Sequence, residues 1–119
     1  MRYQDFVYTK LKTALLVYDV VKKIPRGKVG TYGRVAATVN SLSLSPRITP
    51  RMVGRALHLN PDPESVPCHR VVNSKGRVAD NFAFGGWKEQ KKRLEIEGVM
   101  FKNERFVNLK EHLWSGFNT

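Results

Sequence analysis

The sequence predicts a mainly helical α+β fold, with a helix-turn-helix at its centre and a small hairpin in the C-terminal half. Three observations predict it. Apolar residues recur at helical spacing over residues 3–24. Two short capped helices follow, and the second of them is basic. Beyond residue 66 the helical period gives way to short apolar runs and glycine turns, then returns for one last helix over 87–98. At 119 residues the chain is expected to form a single domain, 1–119, around one modest core. Its hydrophobic content of 41% is too high for a disordered chain.

Taken in order, Phe6, Leu11, Ala14, Leu15, Tyr18, Val20 and Val21 give the first helix an apolar face. Pro25-Arg26-Gly27 stops it, because proline cannot continue a helix and glycine permits the turn. Thr31 is placed to cap a second helix over 32–39, its hydroxyl accepting an early N–H. Residues 40–48 are Ser-rich, contain Pro46 and read as a loop. Thr49 then caps a third helix over 51–59, with Pro50 where a missing N–H costs nothing. In that helix Met52, Val53, Ala56, Leu57 and Leu59 are expected to be buried. Arg51 and Arg55, one turn apart, share an exposed side. Gly54 costs this helix ~1 kcal/mol, which points either to close approach of a second backbone, such as DNA, or to tight helix packing. Asn60-Pro61-Asp62-Pro63 ends it. Two helices joined by a turn, the second basic, form a helix-turn-helix pattern. Asn73-Ser74-Lys75-Gly76 reads as a turn and Gly98 as the stop of the last helix. The tail is expected to hold an extended piece around Arg105-Phe106-Val107 and a docking aromatic, Trp114.

The formal charge is +11, and it is unevenly spread. No acidic residue lies between Asp19 and Asp62, where Lys22, Lys23, Arg26, Lys28, Arg34, Arg47, Arg51 and Arg55 all fall. Such a field attracts polyanions, and release of condensed counterions drives binding to a phosphate backbone. A solvated basic surface kept for solubility is the bland alternative. No apolar run approaches the ~20 residues a membrane helix needs, and no signal peptide is evident. A cytoplasmic protein is expected, nuclear if eukaryotic, with no membrane partner.

Cys68 is the single cysteine, so no internal disulfide can form. Cys68, His58, His69 and His112 lack zinc-ligand spacing, and no metal or cofactor is expected. Cys68 adjoins His69 and Arg70. A base or a positive field can bring a thiol of pKa ~8.5 into the reactive range. A buried structural cysteine is the competing reading.

Pro67-Cys68-His69-Arg70-Val71-Val72 resembles the active-site signature of the O6-alkylguanine-DNA alkyltransferases (methylated-DNA–protein-cysteine methyltransferases). The resemblance extends over about residues 6–100, in order. Ile24-Pro25-Arg26-Gly27-Lys28-Val29 with Thr31-Tyr32-Gly33 is similar to the approach to the family's helix-turn-helix. Arg51, Val53-Gly54, Ala56-Leu57 and Asn60-Pro61 are similar to its recognition helix. Gly85-Gly86 and the run Leu94-Glu95-Ile96-Glu97-Gly98-Val99 are similar to the region after the cysteine. The resemblance implies a winged helix-turn-helix core acting on double-stranded DNA that contains O6-alkylguanine. Cys68 would accept the alkyl group, irreversibly and once. His69 would take the thiol proton through a water, and Glu97 would orient His69, as in a Cys-His-acid triad. Tyr32 would turn the target phosphate and protonate the departing guanine. Arg51 would fill the gap left by the flipped nucleotide. Thr31, Tyr32, Gly54, Arg55 and the hinge residue Asn60 would contact DNA with it, and Leu57, Val71, Phe82 and Phe84 would wall the base pocket. Extrusion is required because the O6-alkyl carbon is buried in the duplex. No cofactor is implied, and a monomer is expected.

The chain departs from the family's usual pattern in three places. It is expected to lack the N-terminal domain that most full-length members carry. In this it is similar to the alkyltransferase-like proteins, which bind alkylated DNA without repairing it and typically replace the cysteine by tryptophan or alanine. Phe82-Ala83-Phe84-Gly85-Gly86 stands where the family has a Tyr-Ser-Gly-Gly type loop, with Phe84 at the serine position. The 40–48 loop is longer than usual. The resemblance thus leaves two functions open: alkyl transfer to Cys68, or a non-catalytic lesion sensor that recruits nucleotide excision repair proteins.

Overall fold

This computed structural model describes residues 2–42 and 47–116, leaving out the side chains of residues 6, 8 and 9. Helix α1 spans Tyr3–Val21, strand β1 Gly30–Thr31, helix α2 Tyr32–Leu42 and helix α3 Pro50–His58. A 3-10 turn at Cys68–Arg70 leads into strand β2, Val71–Val72. Helix α4 spans Gly86–Ile96 and helix α5 Leu109–His112. The caps fall where the side-chain chemistry puts them. Thr31 Oγ1 accepts the Arg34 N–H at 3.1 Å and Thr49 Oγ1 the Met52 N–H at 3.2 Å, each satisfying one orphan donor of a helix start. Gly98, at φ +87°, turns the chain out of α4 in the left-handed conformation that glycine adopts without strain.

Helices α1, α2 and α3 pack around one core cluster that includes Val17, Val20, Val21, Ile24, Val35, Val39, Val53 and Leu57. A second cluster joins Val29, Val72, Val78, Leu94, Val99 and Val107. The sheet divides them. β1 and β2 pair in parallel, Gly30 with Val71 and Thr31 with Val72. Successive strand side chains point to opposite faces, so Val71 enters the first cluster and Val72 the second. The expected hairpin takes the form of an antiparallel bridge between Phe101 and Val107, closed by the Lys102 N–H on the Phe106 carbonyl at 2.9 Å. Trp114 docks as expected. Its N–H donates to Val29 O at 2.7 Å and its ring packs against the helical core.

Three expectations are corrected. Leu11 and Leu15 are exposed, since α1 turns Val17, Val20 and Val21 inward instead; helical periodicity finds a face but not which part of it another element covers. The Phe6 side chain lies outside the described residues. Helix α2 runs on to Leu42, beyond the expected 39, and residues 43–46 of the expected loop, with Pro46, lie outside the described residues. Leu59 is exposed, because α3 ends at His58 and the chain has already left the helical path.

Candidate active site

The loop after α3 is tied down before it delivers the cysteine. Asn60 is 4% exposed. Its amide donates to the Val66 carbonyl at 2.9 Å, and its Oδ1 accepts the Asp62 N–H at 3.0 Å. Both ends of that turn hang on one side chain, so the 3-10 turn carrying Cys68 sits at a fixed distance from the recognition helix.

Cys68 lies at the floor of a cavity of about 460 Å³. Its walls come from Tyr32 on α2, from Arg51, Gly54, Arg55, Leu57 and His58 on α3, and from Ala79, Asn81, Phe82 and Ala83 of the loop before α4. That volume is within the ~300–1,000 Å³ range of small-molecule sites. The cysteine is 6% exposed, buried but facing this space. Burial pushes its thiol above the ordinary range, and the Asn60 side chain and Arg93 pull only partly the other way. Burial likewise raises the Tyr32 phenol, helped by Cys68.

His69 Nε2 lies 3.0 Å from Glu97 Oε2, and both side chains are nearly enclosed. With Nε2–H donated to the carboxylate, Nδ1 is left as the basic nitrogen. Burial lowers the His69 pKa; Glu97 opposes this while Arg70 and Arg93 reinforce it. Burial therefore favours the neutral imidazole. Arg70 grips Glu97 with two hydrogen bonds, Nε to Oε1 at 2.9 Å and Nη2 to Oε2 at 2.7 Å. Its third contact is the Ile24 carbonyl at 2.8 Å. Burial alone would raise the Glu97 carboxyl, but hydrogen bonds from Arg70 and His69 hold it below its usual range.

The structure brings together Cys68, Tyr32, Arg51, Gly54, Arg55, Leu57 and Phe82 around the cavity, and pairs His69, next to the cysteine in the same 3-10 turn, with Glu97. Arg51 and Arg55 are exposed at its mouth. Thr31 is buried, its hydroxyl engaged as the α2 cap, and Asn60 is buried as a hinge. Two expected pocket residues stand elsewhere. Val71 is 1% exposed and belongs to the core, because its strand pairing with Gly30 turns it inward. Phe84 packs edge-on against Phe82, ring centroids 5.8 Å apart, behind the wall and not on it. A Cβ on Gly54 would meet Tyr32 at an ordinary 3.7 Å. Helix packing within this chain thus makes no demand for glycine there.

Gln90 was not singled out by sequence. It is 1% exposed. Its amide donates to the His69 and Val71 carbonyls at 3.1 and 2.9 Å, and its Oε1 accepts the Ala79 N–H at 2.8 Å. One side chain thus joins the cysteine turn to the far wall of the pocket. The signal for it was a lone uncharged polar residue one turn before the buried Leu94, among lysines and glutamates. Arg93 also went unnoticed; its guanidinium lies 5.4 Å from the Phe82 ring and 5.8 Å from Phe84. Among the described residues, no group of three or more His, Cys, Asp and Glu side chains could hold a metal ion. None of the described helices is long and apolar enough to cross a membrane.

A helix-turn-helix with a cationic second helix, beside a cavity lined in part by a cysteine, is the architecture of a DNA-binding domain. The family model for the 6-O-methylguanine DNA methyltransferase DNA-binding domain matches residues 12–99. The chain belongs to this family of O6-alkylguanine-DNA repair and binding proteins. It is 42% identical to alkyltransferase-like protein 1 of Schizosaccharomyces pombe, over 96% of this chain and 98% of that protein. It is also 42% identical to the methylated-DNA–protein-cysteine methyltransferase of Methanothermobacter thermautotrophicus, over 74% of this chain but only 45% of that enzyme. The chain thus spans less than half the length of that methyltransferase. The crystal structure of S. pombe Atl1 in complex with damaged DNA containing O6-carboxymethylguanine superposes with a TM-score of 0.70, at 38% identity, over 97% of this chain and 99% of that one.

Proposed function

We propose that this protein binds duplex DNA, flips out O6-alkylguanine and transfers the alkyl group to Cys68 in a single turnover. The observation that carries this reading is that Cys68 lines a cavity which the recognition helix also lines, in the same 3-10 turn as His69, whose ring pairs with Glu97. A target base inside a duplex is unreachable, so the nucleotide enters the cavity by extrusion. Arg51, at the mouth, stacks into the vacated space, where a planar guanidinium can also hydrogen-bond. Gly54 lets the DNA backbone lie close to α3.

The chemistry is an in-line displacement. The Cys68 proton passes through a water to Nδ1 of His69. The imidazolium so formed is stabilised by Glu97, which Arg70 keeps ionised and aimed. Sγ then bonds to the alkyl carbon as the carbon–O6 bond breaks. The electron pair leaves with guanine, and the Tyr32 hydroxyl supplies the proton it needs. Burial of Tyr32 keeps that phenol protonated until it is called on. The thioether product is stable, so each molecule acts once. The test is an intact-mass measurement after incubation with a duplex containing O6-methylguanine. The expected result is a gain of one methylene, located on Cys68; an unchanged mass rejects the transfer.

A second reading rests on two observations. The chain matches an alkyltransferase-like protein nearly end to end, and burial holds the Cys68 thiol protonated in the free protein. On this reading the site grips the lesion as a signal for nucleotide excision repair. Preferential binding of the alkylated duplex with no mass gain would select it.

A further inference from the structure

Residues 99–113 strap across α4 and reach the far wall of the pocket, beyond the 12–99 span of the family match. The strap pairs antiparallel with the chain entering that wall. Arg77 bridges Phe106, the Val78 N–H donates to Arg105 O at 3.0 Å, and the Val107 N–H donates to Gly76 O at 2.9 Å. Gly76 sits at φ +90°, and a Cβ there would come within 2.8 Å of the Val107 carbonyl, so only glycine allows the strap this close. Arg105 lies over the Trp87 ring at 4.1 Å and forms an ion pair with Asp80. Arg77 holds the same carboxylate at 3.1 Å. Asp80 is at the centre of a turn closed by the Phe82 N–H on Ala79 O at 3.2 Å. Both ends of that turn, Ala79 and Phe82, line the cavity.

We propose that Arg105 is a positioning residue for the lesion pocket: stacked on Trp87 and paired with Asp80, it fixes the turn that sets the wall opposite the recognition helix. The inference rests on the reading of this cavity as the lesion site. Asp80 is largely exposed, and exposed pairs contribute little to global stability. The network therefore matters for the shape of one turn and little for folding. Its effect should appear in discrimination, because a preformed wall lowers the ordering cost of binding.

The test uses Arg105→Met, Asp80→Asn and Arg105→Lys, each titrated against a duplex with one O6-methylguanine and the same duplex unmodified. Met removes a positive charge and Asn a negative one, so affinity for plain DNA should move in opposite directions. The lesion-to-plain affinity ratio should nevertheless fall in both, by about fivefold. Arg105→Lys should recover most of it, and the melting temperatures should move by no more than about 4 °C. A ratio of one in the wild-type protein overturns the functional reading and this inference with it. A wild-type preference that survives intact in both variants overturns the inference alone, as does loss of preference that tracks loss of plain-DNA affinity.

Discussion

The back of the site and its mouth are built differently. Behind Cys68, His69, Glu97, Asn60 and Gln90 are enclosed, and every polar atom that matters has a short, directional partner. At the mouth, Arg51, Arg55, Leu59, Asn81 and Ala83 are exposed, and the arginines point charge at solvent. On the proposed function the difference follows from what each half would do. Moving a proton between fixed atoms needs geometry held to fractions of an ångström, which enclosure and networks supply. Meeting a long polyanion needs reachable charge and room for a backbone.

Substitutions can separate the two halves. Cys68→Ser should have the largest effect: alkyl transfer disappears from the mass spectrum while lesion binding persists, because the mouth is untouched. Loss of both would mean the halves are not separable. Glu97→Gln should slow transfer by about 10²-fold, the range of one acid–base contribution. It should also destabilise the fold by about 1–3 kcal/mol, since hydrogen bonds from Arg70 to a charged partner are weakened in a buried place. Single-turnover rates and urea melts would check both. Arg51→Ala should lower the alkylated-to-plain affinity ratio by about tenfold, a truncation at the centre of an interface, without shifting the urea midpoint.

The back should also respond to pH. His69 has a folded pKa below its free value, so the unfolded chain binds its proton first, and stability is lost as pH falls below about 6.5. Glu97 is lowered too, so its contribution is present above the free carboxyl pKa and is lost as pH falls through the lower folded one. Both losses have the same sign. Denaturant midpoints should therefore drop from pH 7 towards 4 in the wild type, and drop more over that range in Glu97→Gln, which removes the carboxylate that raises His69 and leaves the arginines that lower it. The smallest effect is expected from Gly54→Ala. It should stabilise the free protein by up to ~1 kcal/mol through helix propensity, as the new Cβ meets only ordinary contact, yet weaken duplex binding. Unchanged binding would remove close approach of DNA as the reason for Gly54.

Local chemistry made much of this protein readable. Thr31 and Thr49 announce helix starts because their hydroxyls reach N–H groups three residues away. Pro25 and Gly98 announce ends for equally local reasons. The run from Pro67 to Val72 and the charge gap between Asp19 and Asp62 marked the cysteine that lines the cavity and the cationic helix α3. Leu11 and Leu15 misled, since an apolar face is readable but its cover is not.

The sequence by itself determined where α2 and α3 are capped, which side chains carry charge, and that a cysteine and a histidine are neighbours. The family resemblance already implied that Glu97 meets His69 from 28 residues away; only the tertiary structure decided that Arg70 holds that carboxylate, that Gln90 ties the cysteine turn to the opposite wall, and that Val71 faces the core. Those outcomes depend on a parallel pairing between Gly30–Thr31 and Val71–Val72. Its register is set by which faces two separate cores can bury, a condition imposed by the whole chain at once and by no segment of it alone.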